Sequence, residues 1–116
     1  MNVKKSEWER NPLKWYRNAL FKTRTEEGVK TSQLEFLIHV YDEGSFGKDL
    51  MYGTGSQFSC SNSFVKEGFY GLLKSGHVFV FEERNHFIRK KRVYRISYTG
   101  KLIVEKFYKR LKKQID

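Results

Sequence analysis

Two clusters of side chains in the second half of the chain have chemistry to offer a polyanion. The first is Arg84, Asn85, His86, Arg89, Lys90, Lys91 and Arg92, which packs five permanent cations and a histidine into nine residues. The second is Ser61, Asn62 and Ser63, with Lys66 and Tyr70 following at helical spacing. Guanidinium and ammonium groups neutralise phosphates without regard to sequence, whereas Ser and Asn offer both donors and acceptors to base edges. A hairpin gains little stability from like charge gathered at its end, so the cationic cluster points to an external anion. Solvated surface charge, and plain N-capping by the Ser/Asn run, are the alternatives.

Charge is distributed unevenly along the 116 residues. The chain has 23 Lys and Arg against 13 Asp and Glu, a formal net charge of +10. Residues 1–58 hold nine basic side chains against eight acidic ones, and residues 59–116 hold fourteen against five. A basic surface of this kind is the footprint expected for nucleic acid ahead of an anionic membrane.

Other chemistries find little support. The single cysteine, Cys60, excludes an intrachain disulfide and a Cys-based zinc site, and it reads as a bystander thiol rather than a redox sensor. His39 reads as a packed helix residue, and His77 has no second histidine or carboxylate at ligand spacing, so no metal is expected. Gly53-Thr54-Gly55-Ser56 lacks the Lys-[Ser/Thr] that a phosphate-binding loop requires. No nucleophile, base and orienting partner converge in the pattern, so neither a catalytic residue nor a cofactor is expected. No apolar run approaches the roughly 20 residues that span a bilayer, and Met1-Asn2-Val3-Lys4-Lys5 leads into charge, so a cytoplasmic protein without a membrane partner is expected.

The elements that must position these residues are readable from periodicity. Without a Pro/Ser/Gly-rich linker, residues 1–116 read as one domain, mainly α with a two-stranded antiparallel β-hairpin. Asn11-Pro12 is a cap followed by proline at the first helical position, and Leu13, Tyr16, Leu20 and Phe21 continue a helix over residues 12–24. Ser32-Gln33-Leu34-Glu35 has the form of a capping box that opens a second helix. Ser45 is expected to cap a short third helix carrying Phe46, Leu50 and Met51. The Ser/Asn cluster at residues 59–63 starts a fourth, with Val65, Phe69, Leu72 and Leu73 inward, so that helices fill residues 32–76. Residues 77–98 form the hairpin, from Val78–Phe81 to Arg92–Tyr98. Ser97 caps a final helix over residues 98–115.

Four of these pieces together resemble the winged helix-turn-helix regulators, most closely the multiple-antibiotic-resistance regulator (MarR) type. They are the helix Ser32–Tyr41, the Leu50 helix, the helix closing in Leu72-Leu73-Lys74-Ser75-Gly76, and Arg92-x-Tyr94-x-Ile96-Ser97-x-x-Gly100. The resemblance covers residues 32–111. Departures are a long turn from Leu50 to Val65, Arg84-Asn85-His86 in place of the family's Asp-x-Arg, and a shorter final helix. It implies a three-helix core with a wing, and a homodimer on a palindromic site. Ser61, Asn62, Ser63, Lys66, Glu67 and Tyr70 align with the recognition helix. Trp15, Tyr16 and Leu20 on the first helix, with Phe107, Leu111 and Ile115 on the last, offer more apolar surface than a small core can cover and are the expected dimer contacts. The implied function is sequence-specific binding of double-stranded DNA by a small transcriptional regulator, a repressor, with any effector left open. A partition, architectural or protein-protein adaptor role of a plasmid- or virus-encoded winged helix is the alternative.

Overall fold

The computed structural model describes the backbone of residues 11–47, 67–86 and 89–115, and their side chains except those of 84–91 and 115. Helix α1 runs Pro12–Glu27, three residues beyond its expected end. It begins as the sequence requires, because Asn11 Oδ1 accepts from the Lys14 N–H at 3.2 Å with Pro12 in the first turn. Helix α2 spans Thr31–Val40 and starts one residue before Ser32, because Gln33 Oε1 reaches back to accept from the Lys30 N–H at 2.8 Å.

The segment after α2 differs from expectation. Ser45 does not cap a helix: Ser45–Gly47 is a strand, β1. It pairs antiparallel with the second hairpin strand, Ser45 opposite Arg95, Phe46 opposite Tyr94 and Gly47 opposite Val93. An extended backbone lets Phe46 reach the core, where it is almost wholly buried, and pairing satisfies backbone groups that a three-residue fragment could not satisfy alone. Leu50, Met51 and the Ser/Asn cluster at residues 59–63 lie outside the described residues.

Helix α3, Phe69–Ser75, follows a widened, π-type turn at Glu67 and Gly68. It closes on Gly76 in the left-handed region, with the His77 N–H donating to Leu72 O at 2.9 Å. Strands β2, Val78–His86, and β3, Arg89–Ile96, form the hairpin, and helix α4, Tyr98–Ile115, ends the chain. The sheet order is β1-β3-β2, so the wing expected with two strands is part of a three-stranded sheet. Phe81 is an extra residue in β2, between Val80 opposite Tyr94 and Glu82 opposite Val93.

Two apolar clusters hold these elements. The first joins α2, α3, the sheet and α4 through Phe36, Leu37, Phe46, Phe69, Leu72, Ile96 and Val104. Its rings meet edge to face, Phe36 to Phe46 at 5.2 Å and Phe69 to Tyr94 at 4.8 Å between centroids. The second packs α1 on α4 through Ala19, Leu20, Leu34, Ile103 and Phe107, with the Tyr16 ring edge-on to Phe107 at 5.4 Å. Across the same seam Lys106 Nζ lies 2.6 Å from Glu27 Oε1, and Arg110 pairs with Glu26 and donates to the buried Thr23 hydroxyl at 3.1 Å.

One junction ties the end of α3 to the start of α4. Ser97 Oγ accepts from the Gly100 N–H at 3.2 Å, as the cap expected from sequence, and donates to Gly76 O at 2.5 Å. The Ser97 N–H donates to His77 O at 3.0 Å, and Thr99 Oγ1 donates to Gly76 O at 3.1 Å. The approach leaves no room for a side chain at Gly100, where an added Cβ would collide with the His77 carbonyl. Gly100→Ala is therefore expected to cost about 1–3 kcal/mol of stability. In Gly47→Ala, by contrast, the new methyl meets nothing closer than Arg92 O at 3.9 Å, leaving the urea midpoint near that of the parent chain. Equal midpoints for the two variants would refute the junction's role.

Candidate nucleic-acid interface

The cationic cluster occupies the distal hairpin, and its register is set by the antiparallel pairing of β2 with β3. Arg84 stands opposite Lys91, Asn85 opposite Lys90 and His86 opposite Arg89. Sequence alone located this charge at a tip, and the register adds that Arg84 and Lys91, which carry like charge, occupy opposing positions on the two strands. Such pairing is unfavourable for an isolated hairpin, so the arrangement does not serve the hairpin's own stability.

Toward the body of the wing the charge is balanced. Arg92, opposite Glu83, brings Nε to 3.2 Å from Glu83 Oε1, an exposed pair of small energetic weight. Arg95, absent from the residues singled out by sequence, is exposed and lays its guanidinium 4.2 Å from the Phe81 ring centroid. It faces away from Tyr94 and Ile96, an alternation the strand period contains. Lys106 and Arg110 are engaged by Glu27 and Glu26, so part of the positive excess of residues 59–116 is used within the chain.

Of the residues assigned to the recognition helix, Glu67, exposed in the widened turn, and Tyr70 are described. Tyr70 lies on α3 itself. It is 63% exposed, while its neighbours Phe69 and Leu72 are buried, so α3 turns one face to the core and Tyr70 and Lys74 to solvent. Ser61, Asn62, Ser63 and Lys66 lie outside the described residues, as does Cys60. The proposed dimer contacts fall on the α1–α4 seam. Leu20, at 6% exposure, and Phe107, at 1%, belong to the second core cluster, Tyr16 and Leu111 pack against it, and Trp15 is half-buried. Ile115 ends α4. Larger apolar exposure on these helices belongs to Leu13, Phe21, Tyr98 and Tyr108.

The wing leaves the helical body at His77, half-buried at the α3–β2 turn. Burial pushes its imidazole below the usual histidine range, and the Glu27 carboxylate offsets this in part. His39 is likewise half-buried on α2. Among the described residues no group of three or more His, Cys, Asp or Glu could hold a metal ion, and no helix is long and apolar enough to cross a membrane.

With the geometry in place, solved structures supply the comparison. A MarR-family transcriptional regulator from Silicibacter pomeroyi superposes with a TM-score of 0.64 at 16% identity, covering 91% of this chain and 68% of that one. A MarR transcriptional regulator from Methanosarcina mazei Go1 gives 0.60 at 16% identity, over 94% and 69%. Reduced AbfR bound to DNA gives 0.60 at 15% identity, over 90% and 75%. The fold is a MarR-like winged helix. No protein-family model and no curated protein sequence matches the chain. In this fold α2 and α3 belong to the helical core and the β2–β3 hairpin is the wing.

A pH test follows from His77. Because its folded pKa is depressed, the unfolded chain binds the proton first as pH falls, so this contribution is intact above about 6.5 and declines below it. The thermal midpoint is expected to fall from about pH 7 to about pH 5, and His77→Gln to remove part of that fall. Glu35, whose carboxyl burial raises, acts in the opposite sense, since its folded form takes up the proton first, and does not mimic the effect. An unchanged profile in His77→Gln would remove His77 from the account.

Proposed function

We propose that the protein binds double-stranded DNA as a transcriptional regulator, with the recognition helix in the major groove and the wing on the flanking backbone. The observation that carries this reading is the register of the wing tip, which sets the like charges of Arg84 and Lys91 at opposing positions and brings Arg89 and Lys90 beside them on β3. A phosphate backbone relieves that like charge, and the face of α3 holding Tyr70 and Lys74 is turned to solvent. AbfR, similar in fold, has been solved bound to DNA. In this assignment Ser61, Asn62, Ser63, Lys66 and Tyr70 meet the groove, and Arg84, Asn85, His86, Arg89, Lys90, Lys91 and Arg92 meet phosphates or the minor groove. The protein acts without catalysis, as a repressor occupying its operator.

The same reading takes the protein to be a homodimer, because one recognition helix reads too few base pairs to select a site in a genome. A twofold dimer sets two such helices roughly 34 Å apart, one turn of DNA. Since Leu20 and Phe107 are used inside the protomer, self-association through α1 and α4 draws on Leu13, Phe21 and Tyr108 at the margins, with Trp15, Tyr16 and Leu111 at the seam and Ile115 on the strength of the sequence. Phe21→Asp is expected to shift the sedimentation coefficient from dimer to monomer while preserving helical content. A native protein that sediments as a monomer at tens of micromolar would remove the dimer.

Salt separates this function from adventitious binding. If about 6–10 phosphates are contacted, duplex affinity should fall about 10³–10⁵-fold between roughly 50 and 200 mM salt. Replacing Arg89, Lys90 and Lys91 with Ala should weaken binding to every sequence and flatten the slope, whereas Asn62→Ala with Ser63→Ala should reduce preference for the cognate site. A folded tip variant with unaltered affinity would contradict the assignment.

A further inference from the structure

We propose that Gln33 is a positioning residue for DNA recognition, a strut whose two amide atoms tie the start of α2 to the turn from which α3 departs. The inference rests on the duplex-DNA reading above. Gln33 is 9% exposed although it occupies the first turn of a helix, where a capping side chain ordinarily stays in solvent. Its Oε1 accepts from the Lys30 N–H and its Nε2 donates to Gly68 O, both at 2.8 Å, the second bond crossing 35 residues of sequence.

The choice of residue type separates the two tasks. Capping needs an acceptor, which Glu supplies as well as Gln. Of those two side chains, only Gln can cap and donate at the same time near neutral pH, where Glu is an acceptor only, so the bond to Gly68 is what favours glutamine. The opposite wall is shaped to suit, because a Cβ at Gly71 would lie 2.8 Å from Nε2. Gly68 belongs to the widened turn immediately before Phe69, whose ring is fixed against Phe36, Phe46 and Tyr94. The strut therefore fixes the turn on one side of that ring, and with it the direction in which α3 presents Tyr70.

Gln33→Glu tests this directly, since it keeps the cap and replaces the donor by an acceptor facing another acceptor. A cognate duplex is first selected from a random library with the parent protein, and affinities for it and for a scrambled duplex are measured by fluorescence anisotropy. Near neutral pH the variant is expected to lose about tenfold or more of its preference for the cognate duplex, the scale of a lost base contact, while scrambled-duplex affinity, set by phosphates, changes little. Acidification is expected to restore part of the preference, because a protonated carboxyl can donate to Gly68 O. Gly71→Ala, which crowds the amide from the other side, should give the same loss without the acid rescue, and it carries the test if Gln33→Glu does not fold by circular dichroism. Folded variants that keep full preference, or that lose cognate and scrambled binding in equal proportion, overturn the strut and leave the DNA reading standing. A parent protein that binds no duplex overturns both.

Discussion

The Phe69 ring is the point on which the architecture depends. It is the first residue of α3, and it lies within 6.1 Å, centroid to centroid, of rings from α2, β1 and β3. These contacts relate the helix that faces solvent through Tyr70 to the sheet that carries the basic tip. Aromatic packing is directional as well as apolar, so the angle between helix and wing is set by ring geometry rather than by burial alone. Polar contacts then hold the two ends of α3: the Gln33 amide at Gly68, and the Ser97 and Thr99 hydroxyls at Gly76.

A helix held in this way allows the wing to be shaped for something other than stability. Beyond Glu83 and Arg92 the ladder sets Arg84 opposite Lys91, a like-charge pair whose local cost the rest of the fold must offset. The bulge at Phe81 strengthens local twist and interrupts regular pairing at the edge of the sheet, which also discourages another chain from adding to it. Elsewhere α1 binds α4 through Tyr16, Leu20 and Phe107, with Glu26 and Glu27 turned to Lys106 and Arg110. Positive charge on Lys106 and Arg110 is thereby paired on the helical seam, while the sequence gathers five cations within residues 84–92.

Local signals in the sequence translated well into structure. Asn11-Pro12 opened α1, Ser97 capped α4, and Gly100 owed its place to a backbone approach that no other residue permits. The spacing through residues 77–98 likewise became a hairpin. Non-local choices were hidden. Ser45–Gly47 is extended because β3 lies beside it, and nothing within three residues reveals a partner about fifty positions away. The sequence pattern places the capping box on Ser32 and Glu35, whereas Gln33 is the side chain that caps, at Lys30, and spacing cannot show that its second atom bonds Gly68. The apolar faces of α1 and α4 were recognisable, but periodicity says that a face is buried, not whether the chain itself or a second copy buries it. For Ser61, Asn62, Ser63 and Lys66 the sequence remains the basis of the assignment.

The central claim, that the start of α3 and the wing tip together form the DNA surface, is tested most directly by amide chemical-shift mapping of the labelled protein during titration with a cognate duplex. The account predicts perturbations gathered at residues 61–70 and 84–92, with the α1–α4 seam around Thr23 and Arg110 unaffected by direct contact. Perturbations centred on α1 and α4, with residues 84–92 unmoved, would contradict it.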